Sequence, residues 1–447
     1  MTSTVSSGAA MAIPIKRWSA LTADDKRYLV TRSEQDISAV RNSVADIIRR
    51  VREDGDMALR RYTQEYDNVC LGDRPLQVQY DEFQHARSTL DGKVKDAIEF
   101  AVENVRSYHA HQVPQGLHMT EIRPGILAGE RPTPIPSVAL YVPRGRGSFP
   151  SMLYMMAVPA RLAQVPRICI LTPPGDGGAV DPACLYAADV CGVREIYRVG
   201  GAQAVAAVAF GTETIRSVDK IVGPGSMYVT AAKRLVSEQV DIGLPAGPSE
   251  SIVMADGTAD PWRVTLDLMV EAEHGSDSAA LLITDSPELA EAVASLIPQI
   301  TEELPEPRKS YVTDVFAGYG GIIVTDTMHA AAEVVNEFAP EHLQIQTQEP
   351  FEWLPEIRHA GEILLGQHVP FSVANYAAGA NAVLPTGGHA RTFSAVSVRD
   401  FVKYSSVVYA TQRGYDTLAD PVATLARYEG FVTHAAALER RDERTND

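Results

Sequence analysis

Cysteine is scarce in this chain. Only Cys70, Cys169, Cys184 and Cys191 occur among 447 residues, and no two form a Cys-x-x-Cys pair. That argues against a disulfide-stapled scaffold or a cysteine-based zinc site; buried free thiols in a reducing cytoplasm are expected instead. Long apolar runs are missing too: none reaches the roughly 20 residues of a membrane span, and no secretory leader is expected at the start. Positive charge is also short. The formal net charge is -17 and basic residues gather only in pairs such as Arg49-Arg50 and Arg60-Arg61, so nucleic acid is not an expected partner. Neither an internal repeat nor a low-complexity linker divides the sequence.

What is present is a globular composition, 45% hydrophobic and 22% charged, on a chain too long for one core, so two or more domains are expected. The middle third is the most regular part. Short apolar runs at 138–142, 167–171, 195–199 and 219–222 are each followed by turn residues, with helical stretches such as 152–163 and 181–190 between them. Strand, turn and helix in repetition predict βαβ units and a parallel sheet. Further strands are expected at 251–255, 279–284, 321–324 and 361–365. The first 110 residues read as mainly helical, with apolar residues at helical spacing over 37–52 and 94–108. The chain after Ser397 reads as helical again, over 398–404 and 421–428, and ends in a charged tail from Glu439.

Three kinds of motif carry chemistry. Glu271 and His274 stand three apart on a stretch where Val264 and Leu268 give helical phase, so both can grip one ion from one helix face. By itself a Glu-x-x-His more often marks a solvated helix face. Its weight comes from Glu341-His342, Asn375-Tyr376 and His434, which pool imidazoles and carboxylates from well-separated stretches. A carboxylate-bridged two-metal centre fails, because it needs a second such motif on another helix. The second kind is a glycine turn after a strand: Gly200-Gly201-Ala202-Gln203 and Gly223-Pro224-Gly225-Ser226 both open helices, where backbone can approach a phosphate. Neither is a Gly-x-Gly-x-x-Gly fingerprint, so tight turns and dinucleotide contacts stay equally open. The third is Tyr141-Val-Pro-Arg-Gly-Arg-Gly147, whose Arg144 and Arg146 form either an anion clamp or part of a solvated loop.

Taken in order, the motifs resemble one family. Tyr141-Val-Pro, Gly200-Gly-Ala-Gln203, Gly223-Pro-Gly225 with Tyr228-Val229, Pro245-Ala-Gly-Pro-Ser-Glu250, Ala272-Glu-His-Gly275 and Ala339-Pro-Glu-His-Leu343 come first. Leu384-Pro-Thr386, Ser397-Val with Asp400-Phe-Val-Lys403, and Glu429 with His434 follow. The pattern is similar to that of histidinol dehydrogenases from about residue 30 to 437. The resemblance implies an α/β fold with two incomplete Rossmann-like domains, in a homodimer whose C-terminal segment crosses to the partner's active site. The implied division is an N-terminal segment 1–30, a first α/β domain from 31–137 and 253–396, an NAD-binding domain 138–252 and a dimer-crossing segment 397–447. It further implies oxidation of a primary alcohol to a carboxylate in two NAD-dependent steps through a bound aldehyde. In that chemistry His342 takes the hydroxyl proton and Glu341 activates the water that hydrates the aldehyde. Tyr141, Gln203 and Ser226 match NAD-contacting positions, Ser249 and Glu429 substrate-contacting ones. Glu271, His274, Asn375 and His434 match the zinc ligands.

Four departures from the family pattern shape the reading. Glu271 stands where the family has glutamine, and Asn375 where it has aspartate, so the set keeps one carboxylate, one amide and two imidazoles with the charge moved across the site. Asn381-Ala382 replaces an Asn-His pair near the substrate, and Arg144 and Arg146 enter a loop that is elsewhere glycine-rich and neutral. Ser226 also replaces an asparagine. Losing an imidazole and gaining guanidinium groups is what a site retuned for an anionic substrate would do. The expectation is therefore a zinc- and NAD-dependent alcohol dehydrogenase acting on something other than histidinol, such as a sulfonated diol, with Arg144 or Arg146 on the anion. Histidinol oxidation in histidine biosynthesis is the second reading, and a catalytically silent ligand-binding paralogue the third.

Overall fold

The alternating strand and helix signals resolve into three sheets. The computed structural model describes residues 11–31, 38–144 and 147–441, so Arg146 lies outside the described residues. In chain order the strands are β1 (Ile15–Arg17), β2 (His118–Arg123), β3 (Ile126–Pro134), β4 (Ser137–Tyr141), β5 (Arg167–Leu171), β6 (Glu195–Tyr197) and β7 (Lys220–Val222). They continue with β8 (Glu250–Ala255), β9 (Ala279–Thr284), β10 (Gly321–Val324), β11 (His342–Gln346), β12 (Glu362–Leu365) and β13 (Val402–Ala410). Compactness divides the chain into a large unit, through Gln112 and from Ile135 to Phe401, and a small one, Val113–Pro134 with the chain from Val402 onward.

The large unit holds two parallel sheets. One is four-stranded in the order β6-β5-β4-β7, the other six-stranded in the order β1-β10-β9-β8-β11-β12. Helices cover both faces of such sheets, which is why β8 and β9 are buried at every residue and read as unbroken apolar runs. Over the four-stranded sheet, Ala139, Leu171 and Ile221 share a core with Val205 and Val208 of the Gly201–Phe210 helix and Val229 of the Met227–Val236 helix. Val44, Ile47 and Leu59 of the Ser38–Asp67 helix close the same core. That long helix turns at Gly55 (φ 53), where the Glu213 carboxylate fills the space of a Cβ and accepts the Asp56 N–H at 2.8 Å.

The division expected from the sequence groups residues 31–137 with 253–396; the apolar stripe of the Ser38–Asp67 helix is buried with the four-stranded sheet of 137–222. Helices Tyr80–Thr89 and Gly92–Ala110 pack on Pro182–Val190 and Pro150–Leu162 of that same layer. β1, by contrast, joins the edge of the six-stranded sheet beside β10.

The small unit is an antiparallel sheet, β13-β3-β2, with helices Gln412–Tyr428 and Val432–Glu439. The helix expected over 398–404 is instead a 3-10 turn at Val398–Phe401 running into β13, whose valines and tyrosines favour a pleated strand. The expected C-terminal segment 397–447 is likewise completed by β2 and β3 from far upstream. Among the described residues no helix is long and apolar enough to cross a membrane. The cysteines are unpaired, with Cys169, Cys184 and Cys191 buried and Cys70 exposed.

Candidate active site

The chemistry-bearing side chains gather at the amino edge of the six-stranded sheet. Glu250 begins β8, Glu341 precedes His342 at the start of β11, and Glu362 begins β12. Parallel pairing sets His342 opposite Ser251 on one side and Glu362 on the other. The Pro261–Ala272 helix, capped by Asp260 and opened by a proline, brings Glu271 to its last turn and His274 just beyond it. Asn375 comes from the Phe371–Tyr376 helix that follows β12.

These residues interlock. Glu271 is fully buried; its Oε1 accepts from Asn375 Nδ2 at 2.6 Å and lies 3.9 Å from His342 Nε2. Its Oε2 sits 2.7 Å from His274 Nδ1 without hydrogen-bond geometry. His274 Nδ1 is also 3.1 Å from Ser249 Oγ. Glu341 accepts the Glu250 N–H at Oε2 (2.9 Å) and places Oε1 3.7 Å from His342 Nε2. On the other side of the ring, His342 Nδ1 is 2.5 Å from Glu362 Oε1, and Phe371 packs edge-on at 5.7 Å between centroids.

Crowding of charge in a buried place shifts the protons of Glu271, His274, Glu341 and His342. Burial opposes the charge on Glu271, but His274, His342 and the amide of Asn375 outweigh it and hold the carboxyl far below its usual range. Glu271 in turn raises His274. Burial pushes Glu341 up to about 8, with Glu271 and Glu250 adding and His342 opposing. Burial works against protonation of His342, yet Glu271, Glu341 and Glu362 together lift it to about 10. The cluster thus has more negative charge than it can hold without a proton or another cation.

A second group sits at the carboxyl edge of the four-stranded sheet, where parallel α/β sheets bind ligands. Tyr141 ends β4; its buried hydroxyl accepts the Gly201 N–H at 2.9 Å, and burial raises it to about 12. Gln203, in the first turn of the Gly201–Phe210 helix, is buried with Oε1 lacking a partner. Ser226 occupies the N-cap of the Met227–Val236 helix, yet its hydroxyl caps nothing and is exposed. Arg144 lies with this group: Nη1 donates to the Pro174 carbonyl at 3.3 Å, and the guanidinium covers Gly175. The two edges are tied together by the Tyr154 hydroxyl, which donates to the Tyr376 carbonyl at 2.7 Å beside Asn375.

Ala382 is half-buried, and its neighbour Asn381 is spent on packing. The Asn381 amide donates to the Met155 carbonyl at 2.5 Å and faces His109 Nε2 at 3.2 Å. Glu429 and His434 belong to the small unit, where both side chains are exposed and the His434 ring stacks at a tilt on Phe431.

The sequence profile of histidinol dehydrogenases matches residues 30–442. The chain belongs to the histidinol dehydrogenase family. A histidinol dehydrogenase from Synechocystis sp. is 48% identical over 96% of this chain and 99% of its own length. A protein from Rhizobium meliloti named as a histidinol dehydrogenase homolog is 47% identical over 96% and 94%. The crystal structure of histidinol dehydrogenase from Elizabethkingia anophelis superposes with a TM-score of 0.91 at 32% identity, covering 98% of this chain and 99% of that one. The family is one of oxidoreductases that use NAD and zinc.

The residues present fit both groups. Gln203 Oε1 is a buried acceptor without a partner, and Gly201 leaves the space beside it open, since a Cβ there would stand 2.6 Å from that oxygen. For zinc, the large unit supplies one carboxylate (Glu271), one imidazole (His274) and one amide oxygen (Asn375), all donors the ion accepts. Among the described residues no three His, Cys, Asp or Glu side chains group to hold a metal. Glu250 stands at the end of a motif without a role of its own, and Glu362 carries no signal in the sequence, because a lone glutamate at the head of Glu-Ile-Leu-Leu means nothing until register sets it against His342.

Proposed function

We propose that this protein oxidises L-histidinol to histidine with NAD, in two steps at the Glu341–His342 pair. The observation that carries the reaction type is the cluster itself: a buried imidazole between carboxylates, beside a metal-type donor set, on a scaffold with a separate dinucleotide edge. The substrate is supported by relatives that bear the name histidinol dehydrogenase at 48% and 44% identity. This favours the reading that the sequence placed second.

Glu271, His274 and Asn375 would hold zinc in the large unit, with His434 of a partner subunit as fourth ligand; the ion supplies Lewis acidity toward the substrate's hydroxyl. Tyr141, Gln203 and Ser226 line the NAD edge, and NAD supplies the hydride acceptor. His342 Nε2 takes the hydroxyl proton in the first oxidation. Glu341, beside it, takes a proton from the water that hydrates the aldehyde before the second. With a cation's charge offsetting Glu271, the negative field that lifts His342 and Glu341 is reduced, bringing both toward the range of working bases. Ser249 and the partner's Glu429 are assigned to the substrate's polar end, and Arg144 to the dinucleotide side. The protein works as a cytoplasmic homodimer.

A second reading, a primary alcohol other than histidinol, rests on Ala382 and the Glu271–Asn375 exchange, and on relatives named only as homologs. Purified protein, NAD and a panel of L-histidinol and small neutral and anionic alcohols decide between them. About two NADH per L-histidinol consumed, faster than with any other alcohol, is expected, as two hydride transfers require. Efficient turnover of a sulfonated diol with none of L-histidinol would establish the second reading. NAD binding without NADH from any alcohol would leave a silent paralogue.

A further inference from the structure

We propose that Glu362 is a positioning residue that fixes the tautomer of His342, keeping the proton on Nδ1 and the lone pair of Nε2 toward the reacting hydroxyl. The inference deepens the proposed reaction and rests on it for its kinetic arm. Three observations carry it. First, the contact is delivered by backbone: β11 and β12 pair in parallel with His342 opposite Glu362, so the carboxylate is held by sheet register rather than by a loop. Second, Glu362 Oε1 lies 2.5 Å from Nδ1, much closer than Glu341 (3.7 Å) or Glu271 (3.9 Å) lies to Nε2. Third, the Glu362 side chain is 7% exposed and its Oε2 is buried without a partner, so the only hydrogen bond it shows among the described residues is the one to His342.

An ionised carboxylate only accepts. The nitrogen facing it must therefore be N–H, and in the neutral ring the acceptor is then Nε2. The opposite tautomer would set a lone pair against a buried carboxylate at 2.5 Å. Phe371 packs edge-on against the ring, 5.7 Å between centroids. In the first oxidation the substrate O–H bond breaks and its proton goes to Nε2, while the C–H electron pair leaves as hydride to NAD and the C=O bond forms. The Nδ1–H stays in place, and the imidazolium is stabilised by Glu362. The side chain touches no reacting atom.

The test uses the zinc-loaded enzyme and the variants Glu362→Gln, Glu362→Asp and Glu362→Ala. A glutamine amide can turn its NH2 to Nδ1 and reverse the tautomer while keeping shape. Glu362→Gln should lose about 10³–10⁴-fold in kcat, the scale on which a wrong tautomer acts in a Ser-His-Asp triad, with KM and NAD affinity near wild type. Glu362→Asp should keep part of the activity, and formate should restore Glu362→Ala but not Glu362→Gln. Correlation of histidine ring 15N with its carbon-bound protons, assigned with His342→Gln, should show Nδ1–H in the wild type at a pH where the ring is neutral, and Nε2–H in Glu362→Gln. An Nε2–H ring in the wild type, or wild-type kcat in Glu362→Gln, would overturn the proposal. The tautomer is read without turnover, so an enzyme inactive on every alcohol would sink the functional reading and leave this one decided by the spectrum.

Discussion

Glu271 and Asn375 exchange charge at a distance of one hydrogen bond, the Asn375 amide donating to Glu271 at 2.6 Å. A zinc site with a single carboxylate depends on where that charge lies, because an amide oxygen is a much weaker ligand than a carboxylate. Glu271→Gln should therefore lower zinc affinity by on the order of 10- to 100-fold or more, since it removes the set's only anion. Glu271→Gln with Asn375→Asp should recover most of it by putting the charge on the other side. Zinc per chain after competition with a chelator measures both; a single variant that retains zinc as tightly as the wild type refutes the ligand assignment. Part of this site was legible in the sequence, because Glu-x-x-His and Glu341-His342 are short patterns whose chemistry is local, while the role of Asn375 came only through the family resemblance. Glu362 was not, and neither was the fate of Arg144. Both depend on which strand or turn lies alongside, a relation the linear pattern does not carry.

At the scale of elements, the turn after β7 is tightly constrained beside the edge proposed for NAD. Gly223 has φ +122, and a Cβ there would stand 2.3 Å from the Tyr141 carbonyl oxygen and 3.1 Å from Met156 Sδ. The buried Lys233 ammonium, lowered by burial to about 8, donates to the Gly223 carbonyl at 2.5 Å and holds the turn from below. Gly223→Ala must push the turn outward, taking Ser226 with it. We expect the Kd for NAD to rise about tenfold or more, matching strain of ~1–3 kcal/mol, while zinc content stays unchanged. Titration of NAD by protein fluorescence checks this; unaltered affinity in a folded variant would show that the turn does not carry the cofactor. The strands β4 to β10 and β12 are legible because buried parallel strands are continuous apolar runs ended by turn residues, whereas in β11 Gln344 and Gln346 break the run. β2 carries no sequence signal because its residues are nearly all exposed and show no alternation, and β13 reads in part as helix because charged and polar residues interrupt its valines.

For the whole molecule, the small unit poses the question of what stabilises it. The hydrophobic cluster of its helix pair is Ala423, Ala426 and Ala435, with Leu438 packed against them, whereas Tyr404, Val408, Tyr409, Leu425, Tyr428, Phe431 and Val432 are exposed. An apolar surface of this extent on so thin a core is what an obligate interface leaves bare in one protomer. The sequence could not show this, nor that the Ser38–Asp67 helix covers the four-stranded sheet, because an amphipathic stripe does not name its partner. If a second copy covers the small unit and receives Glu429 and His434, each active site draws on two chains. Two inactive variants should then complement. Glu341→Gln disables the site built on its own large unit, and His434→Ala disables the site of its partner. In a heterodimer of the two, one site has both defects and the other has neither. Co-refolding equal amounts should restore about a quarter of wild-type activity, because random pairing makes half the dimers mixed and each has one intact site. Assay of the remixed pair, with dimer mass confirmed by light scattering, is the measurement. No recovery from well-mixed dimers would place His434 in the site of its own chain.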